Sequence, residues 1–327
     1  MNKYPPKKIV VIGGGTGNFT VLRGLKKYPV SLTAVVSMAD DGGSTGILRD
    51  ELGVLPPGDV RQCLIALASS SRLLRLLMDY RFEHGNLDGH SFGNLLLSAL
   101  EKVTGSFEKA VEEAGKILSI KGTVLPVTIR QVRLKMLLQS KEILEGEKTI
   151  YLSEKIDQGY QKIYLDPHPE VNPIVVDAIT EADLIVIGPG GWHTSVIPNV
   201  LVDGVVEALS RSKAKKLFIV NLMNRKGQTT GYKVSDYLGE LTRFTAKDFF
   251  DYLLVNSGRP PKDLINRYAE EGELVENDMR QDPRVIGADL LGKLAEVKKN
   301  DFLQKRSLIR HDPQKLASEI MQVVVHL

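Results

Sequence analysis

The chain has 327 residues, enough to bury a large core in two domains or in one large α/β domain. Hydrophobic residues make up 43% of it and charged residues 25%, as in an ordinary globular protein. The formal net charge is only +3, and the basic residues are scattered among acidic ones, which argues against nucleic-acid binding. The single cysteine, Cys63, excludes an intramolecular disulfide framework. Because no apolar run matches a membrane span or a signal peptide, we expect a cytosolic protein without a transmembrane segment.

The first forty residues have the pattern of a βαβ unit. Residues 8–12 form a short β-branched run bounded by glycines, which predicts a buried parallel strand. Residues 18–28 carry apolar side chains close to the spacing of a helix face, and residues 32–37 predict a second strand.

The alternation of helices and strands continues to the end of the chain with one interruption. Further helices are predicted at residues 59–68, 71–82, 91–103 and 106–118, the last of them with Ser106 as its N-cap. Residues 132–139, 141–144 and 148–152 are short segments joined by tight turns, which predict antiparallel hairpins. We therefore expect a hairpin insertion within residues 123–170.

Alternating units resume after this insertion. Helices are predicted at residues 173–181, 195–210, 234–241, 261–271 and 312–325, and strands at residues 184–187, 216–221, 252–256 and 285–290. The sequence thus predicts a single Rossmann-like α/β domain over residues 1–327, with three layers around a mostly parallel, doubly wound sheet.

A glycine-rich loop separates the first predicted strand from the first predicted helix. It consists of Gly13, Gly14, Gly15, Thr16, Gly17 and Asn18. Glycines allow close backbone approach, and the free N–H groups of a helix N-terminus attract anions. Asn18 stands where a dinucleotide motif has its last glycine, and no Gly-Lys-Ser/Thr follows as in a Walker A loop. The loop predicts a phosphate site, and the alternative is a tight turn without a ligand.

Two adjacent carboxylates follow the second predicted strand, close to where a dinucleotide enzyme places its ribose-binding acid. Asp40 and Asp41 lead into glycines and hydroxyl residues that end at Gly46, a composition that could hold Mg²⁺ beside a phosphate. They are also the candidate catalytic residues. A solvated Asp-Gly turn is the alternative for this pair, and helix capping is the simplest role for Asp59.

A second glycine loop, Gly188-Pro189-Gly190-Gly191, follows a predicted strand at its carboxyl end, where open α/β sheets bind ligands. Trp192 and His193 come next, and either stacking on a base or packing fits them. Polar residues that end strands or open helices predict the rest of one crevice, namely Asn94, Ser195, Asn221 and Asn256. His90 could face the same crevice or be structural.

Two further residues are candidate ligand contacts near the end of the chain. Arg310 could bind phosphate with two donors, although Asp312 as N-cap gives this segment a complete structural role. Tyr268 could contact a ligand or be a core aromatic.

Together these segments resemble the YvcK-type gluconeogenesis factors, a family related to 2-phospho-L-lactate transferase. The similarity spans residues 9–18, 40–46, 56–68, 89–100, 182–202, 221–231 and 310–312. The resemblance implies a bacterial cytosolic factor needed for normal cell shape and wall synthesis on gluconeogenic carbon sources. It also implies binding of a nucleotide-sugar such as UDP-N-acetylglucosamine, or of a dinucleotide such as NAD.

The implied contacts fall on the motifs already described. The phosphate would lie on residues 13–18, and the polar crevice would include Asp40, Asp41, Asn94, residues 188–190, Ser195 and Asn221. The sequence departs from the family at Gly191-Trp192-His193, where relatives commonly have Ser-Leu-Tyr, and at Asn224-Arg225-Lys226, where Thr-Gln-Pro is more usual.

Three functions fit these observations. The leading hypothesis is a regulatory binder, expected to be a homo-oligomer, whose occupancy by a nucleotide ligand alters contact with a wall-synthesis protein. The alternative is a Mg²⁺-dependent transferase that uses a nucleoside-diphosphate-linked donor, because such transfers mainly need a divalent ion and positioning. An NAD-dependent oxidoreductase is the weakest hypothesis, since no Tyr-x-x-x-Lys pair is visible. No nucleophile–base–orienter set is evident, so whether the protein catalyses a reaction is left open.

Overall fold

The computed structural model describes residues 5–292 and 309–327. Its strands are β1 (Lys8–Gly13), β2 (Ser31–Val36), β3 (Thr123–Pro126), β4 (Arg133–Leu138), β5 (Ile143–Glu145), β6 (Tyr160–Asp166), β7 (Leu184–Ile187), β8 (Lys215–Ile219), β9 (Tyr252–Asn256) and β10 (Val285–Ala288). None of the helices in the described residues is long and apolar enough to span a membrane.

Helices cover both faces of the main sheet. They are α1 (Gly15–Leu25), α2 (Gly43–Leu52), α3 (Gly58–Leu67), α4 (Arg72–Asp79), α5 (Phe92–Thr104), α6 (Phe107–Leu118), α7 (Glu147–Leu152), α8 (Pro173–Thr180), α9 (Ile197–Val200), α10 (Val205–Arg211), α11 (Val234–Leu241), α12 (Lys262–Tyr268) and α13 (Pro313–Val325). Short 3₁₀ turns at Gly85–Leu87 and Ile156–Gln158 and a π-helical turn at Trp192–Val196 complete the described elements.

The main sheet has seven strands in the order β10-β9-β8-β7-β1-β2-β3, and all neighbouring strands run parallel. A separate antiparallel sheet has the order β5-β4-β6. The predicted α/β class, with a doubly wound parallel sheet and an inserted antiparallel region, is confirmed. β3 belongs to the main sheet, so the antiparallel sheet begins only at β4.

The strand order reverses beside β1. The chain moves from β1 through β2 to β3 at one edge, and then returns to β7 on the other side of β1. β7 is buried at every position, and β1 is buried at all but its first, because helices cover both faces of the sheet. Such a reversal opens a crevice at the carboxyl ends of the two central strands, which is where ligands bind in this architecture.

Three predicted segments have a different structure. Residues 148–152, predicted as a strand, belong to helix α7, which follows Gly146 in a backbone conformation with φ of 95°. Residues 195–210, predicted as one helix, are divided into a π-helical turn, α9 and α10, because Gly204 (φ 91°) interrupts the helix. Residues 43–46, predicted as loop, form the first turn of α2.

Two predicted helix starts are confirmed by side-chain hydrogen bonds. The Ser106 hydroxyl accepts from the Lys109 N–H at the start of α6. The Asp312 carboxylate accepts from the N–H groups of Gln314 and Lys315 at the start of α13. Capping of this kind stabilises a helix by roughly 1 kcal/mol.

Helices α1 and α13 approach each other closely at Gly24, where a Cβ atom would clash with the Pro313 carbonyl oxygen and contact Ala317. We expect Gly24→Ala to lower the free energy of unfolding by about 1–3 kcal/mol, because the two helices must move apart. Gly239 in α11 is the matched control, since a Cβ atom there meets nothing within 4 Å. Gly239→Ala should raise the free energy of unfolding by about 0.5–1 kcal/mol, because alanine favours a helix more than glycine does. Urea unfolding measures both values, and equal effects of the two substitutions would contradict this packing.

Candidate functional site

The two glycine loops are in contact at the carboxyl ends of β1 and β7. A Cβ atom on Gly17 would clash with the Pro189 carbonyl oxygen. A Cβ atom on Gly14 would lie 2.6 Å from the Ser195 hydroxyl oxygen. Only glycine fits at these positions, and the structure therefore brings the predicted residues of both loops together on one side of the crevice.

The N-terminus of α1 lies in this contact region. The helix begins at Gly15, its N-cap is Gly14, and its first turn contains no acidic residue. The helix therefore supplies no N-cap side chain to the N–H groups of its first turn, which have no intrahelical partners. The Thr16 hydroxyl donates to the Gln62 side chain at 3.1 Å, which ties this turn to α3.

Two buried asparagines fix the backbone of the first loop. The Asn18 amide donates to the Val35 carbonyl oxygen at 3.3 Å. The Asn199 amide donates to the carbonyl oxygens of Gly13, at 3.2 Å, and Ser195, at 2.7 Å. Asn18 was predicted to contact the ligand, but its side chain is fully buried and holds the loop against β2. The sequence analysis did not identify Asn199. The only signal for it in the sequence is a polar amide side chain within an apolar stretch.

Asn221 fixes the second loop. Its side-chain oxygen accepts from the Gly190 N–H at 3.1 Å, and its amide donates to the Gly190 carbonyl oxygen at 2.9 Å. Asn256 makes a similar pair of bonds with Gly258, the next loop along this edge. These two asparagines therefore position the loops that follow β7 and β9.

Two carboxylates lie at the start of α3, opposite the first glycine loop. Asp59 lies in the first turn of α3, after an N-cap at Pro57, and not at the N-cap position predicted for it. A Cβ atom on Gly15 would lie 2.5 Å from its Oδ1, so the Asp59 carboxylate lies against that loop. The Asp40 carboxylate lies against Gly58. Sequence reasoning missed this position of Asp59 because helix capping already accounted for the residue.

Asp41 makes a different contact from its neighbour. Its Oδ1 accepts from the Lys148 N–H at 2.7 Å, within the first turn of α7, and a Cβ atom on Gly146 would clash with its Oδ2. Asp40 instead accepts from the Gly42 N–H at 3.0 Å. The two adjacent carboxylates are therefore held by different parts of the chain, and Asp41 joins the main sheet to the insertion.

A buried polar cluster extends the crevice towards α5. The Asn94 side chain accepts from Arg61 Nε at 2.9 Å and donates to the Ser44 hydroxyl at 3.3 Å. The Ser44 hydroxyl also lies 3.1 Å from His90 Nδ1. The structure thus places the predicted Asn94 beside a hydroxyl–imidazole pair. Ser44 and Arg61 lie within the segments noted in the sequence, 40–46 and 56–68, but neither was singled out as a site residue.

The Trp192 and His193 side chains turn into the core. Both are buried, and both hydrogen-bond with the Glu240 carboxylate, which also accepts from the Tyr160 hydroxyl. Burial opposes ionisation of Glu240, but these hydrogen bonds, led by that of His193, hold its pKa at about 2. Of the two interpretations offered by the sequence, packing is the one that the structure shows.

The remaining candidates lie near the end of β8. Tyr268 packs in a small apolar cluster with Leu222, Leu264 and Ile309, so it is mainly a packing residue. His311 is half-buried and its ring hydrogen-bonds with the Val220 backbone, which brings its neighbour Arg310 to the same edge of the sheet. Burial lowers the pKa of His311 to about 4.

The lowered pKa of His311 predicts an acid-dependent loss of stability. The pKa of His311 is lower in the folded protein than in the unfolded chain, so the folded state disfavours its protonation. The contribution of His311 to the free energy of unfolding is fully present above its ordinary pKa of about 6.5. Roughly 3 kcal/mol of this contribution is lost as the pH falls towards 4. We expect His311→Gln to lose less stability than the wild type between pH 7 and pH 4 in urea unfolding. Exposed His168 provides the control, and His168→Gln should keep the wild-type dependence. An unchanged dependence in His311→Gln would contradict this account.

The chain is similar to known proteins along nearly its whole length. The gluconeogenesis factor of Bacillus subtilis is 39% identical over 321 residues, which cover 97% of this chain and 98% of that protein. The gluconeogenesis factor of Halalkalibacterium halodurans is 39% identical over 322 residues, covering 97% and 96%. A crystal structure of a UPF0052-family protein from Bacillus halodurans has a TM-score of 0.88 at 37% identity, covering 97% of this chain and 99% of that one.

The family model described as 2-phospho-L-lactate transferase CofD matches residues 9–291. This range includes both glycine loops and the carboxylates at the start of α3. The match and the relatives together confirm the resemblance drawn from the sequence. The chain therefore belongs to the CofD family, within which it is similar to the bacterial gluconeogenesis factors.

Proposed function

We propose that this protein is a regulatory factor that binds a nucleotide-sugar such as UDP-N-acetylglucosamine, or a dinucleotide such as NAD, between its two glycine loops. Occupancy would control normal cell shape and wall synthesis during growth on gluconeogenic carbon sources, through contact with a wall-synthesis protein. The name that the similar bacterial proteins carry, gluconeogenesis factor, supports the general role. The protein partner, self-association and a cytosolic location stay predictions.

The observation that carries the ligand proposal is the position of the α1 N-terminus. It lies at the strand-order reversal, against the second glycine loop, and its first turn contains no acidic residue. The N-terminal end of a helix carries roughly half a positive charge, and its N–H groups are oriented towards an incoming anion. The diphosphate of a nucleotide ligand is the group that matches this arrangement.

The position of the Asp59 carboxylate means that a diphosphate at this site would need a cation beside it. It lies against Gly14 and Gly15, where its negative charge would repel a bare diphosphate. A divalent cation between them would remove this repulsion, so we propose that Asp40 and Asp59 hold Mg²⁺ together with the phosphates. Mg²⁺ commonly takes one or two carboxylates and completes its shell with phosphate oxygens and water. The described residues contain no group of three or more acidic, histidine or cysteine side chains that could hold a metal ion.

A transferase is the second candidate, and two observations favour it. The family model is described as a transferase, and the Ser44 hydroxyl lies 3.1 Å from His90 within the polar cluster of the crevice. In such a transfer an acceptor oxygen bonds to a phosphorus of the donor, the donor's diphosphate linkage breaks and a nucleoside monophosphate leaves. The acceptor proton would pass to a base such as His90. The regulatory proposal requires that none of this occurs with the bound nucleotide-sugar.

The metal-dependent binding is tested by substituting two carboxylates that make different contacts, Asp59 and Asp41. At 100-fold excess over Kd, UDP-N-acetylglucosamine with Mg²⁺ should stabilise the wild type by about 2.7 kcal/mol and raise Tm by several degrees. Asp59→Asn should remove the part of this shift that requires Mg²⁺. Asp41→Asn, whose oxygen is bound to the Lys148 N–H, should keep it. Thermal shift with and without Mg²⁺ measures both.

Two results would contradict this assignment. If none of UDP-N-acetylglucosamine, UDP, NAD and GDP shifts the wild type, the crevice is not a nucleotide site. If Asp41→Asn and not Asp59→Asn loses the Mg²⁺-dependent shift, the metal lies at Asp41, on the insertion side.

Turnover separates the regulator from the transferase. We expect the protein with UDP-N-acetylglucosamine and Mg²⁺ to release no UMP beyond a control without protein, as measured by chromatography. Catalytic release of UMP, lost in His90→Gln, would favour the transferase.

A further inference from the structure

A cavity lies outside the crevice, where the inserted antiparallel sheet meets the main domain. Its volume is about 420 Å³, which is within the range of small-molecule sites. The cavity lies between the start of β6, the loop after β8 and the end of α11. Its polar and aromatic lining includes Asp157, Tyr160, Thr230, Tyr232 and Arg243.

Arg243 gives the cavity a positive group at its rim. The guanidinium lies 4.5 Å from the centre of the Tyr160 ring and 5.9 Å from that of Phe244. No carboxylate of the described residues forms an ion pair with it, and its side chain is exposed. A stacked guanidinium keeps its N–H groups in a fixed plane, and two of them match the oxygens of a phosphate.

Another part of the cavity lining is suited to hydroxyl groups. The Asp157 carboxylate accepts from the Thr230 N–H at 3.2 Å, and the Thr230 hydroxyl accepts from the Gly227 N–H at 3.0 Å. A carboxylate has lone pairs for further donors, and the threonine hydroxyl still has its proton to donate. The negative charge of Asp157 disfavours a second anionic group on the ligand, so a monophosphate with hydroxyls fits better than a bisphosphate.

We propose that this cavity binds a small phosphorylated polyol, such as a sugar monophosphate, with the phosphate on Arg243 and hydroxyls on Asp157 and Thr230. The rings of Tyr160 and Tyr232 supply an apolar wall for the carbon skeleton. Burial and the nearby Glu240 carboxylate raise the pKa of both tyrosines, so they remain neutral phenols.

A buried contact connects this cavity with the crevice. The Tyr160 hydroxyl at the cavity wall donates to Glu240, and the same carboxylate holds Trp192 and His193. These two residues directly follow Gly191 of the second glycine loop. A ligand that shifts Tyr160 therefore changes the support of that loop, so the two sites should affect each other's affinity. This coupling rests on the proposed nucleotide site, whereas the cavity itself does not.

Trp192 makes binding to the cavity measurable, because it is the single tryptophan of the chain. The probes are glucose 6-phosphate, fructose 6-phosphate and glycerol 3-phosphate, each titrated while Trp192 emission is followed. At least one should give a saturable change at concentrations at which neither glucose nor inorganic phosphate does. Calorimetry of the same titrations gives the affinities.

Arg243→Gln should weaken that binding at least about 10-fold, since a charge-assisted hydrogen-bond pair is lost. Arg211→Gln is the matched control, because Arg211 is an exposed arginine of α10 paired with Glu207. It removes the same charge and should leave the affinity unchanged. The cavity proposal is overturned if none of the three probes binds the wild type, or if Arg243→Gln binds as the wild type does. Equal binding of inorganic phosphate would overturn the polyol part.

Tyr160→Phe tests the coupling, because it keeps the ring under Arg243 and removes the hydroxyl donor to Glu240. The probe should still bind within about 2-fold by calorimetry, but the Trp192 response and any effect of the probe on UDP-N-acetylglucosamine affinity should disappear. An unchanged Trp192 response would contradict the coupling. If the wild type does not bind UDP-N-acetylglucosamine, the nucleotide proposal fails, while the probe titrations still decide the cavity.

Discussion

The close contact between two glycine loops is the constraint on which the rest of the site depends. Because Gly17 has no side chain, its backbone reaches the Pro189 carbonyl oxygen, and the α1 N-terminus lies directly against the loop that follows β7. Larger residues would separate the loops and open the crevice. Asn199 and Asn221 stabilise this contact, since each hydrogen-bonds with the backbone of one of the two loops.

A buried carboxylate at Glu240 organises the other side of the second loop. It accepts hydrogen bonds from the Tyr160 side chain of the insertion and from the π-helical turn after Gly191, so it joins the antiparallel sheet to the main domain. A buried charge with several donors is costly to disturb, because loss of one donor leaves part of the carboxylate unpaired. Trp192 and His193, which directly follow that loop, are among its donors. The second glycine loop is therefore supported by core contacts with this carboxylate.

The sequence predicted the features that local patterns determine. Strand runs, helix faces and both glycine loops follow from neighbouring residues, and so does their meeting at the end of parallel strands. Helix α7 was missed because one of its first N–H groups is capped by Asp41, which lies 107 positions earlier. The place of Asp59 beside Gly15 and the partners of Glu240 also depend on distant residues. Those contacts exist only once the sheet has formed, so local sequence patterns cannot predict them.

The central claim is that the N–H groups of the first α1 turn hold the phosphate groups of a nucleotide ligand. A crystal structure of the protein with UDP-N-acetylglucosamine and Mg²⁺ tests it most directly. The account predicts diphosphate oxygens about 2.7–3.2 Å from the backbone nitrogens of residues 15–17. A nucleotide bound elsewhere, with these nitrogens hydrogen-bonded to Asp59 instead, would contradict it.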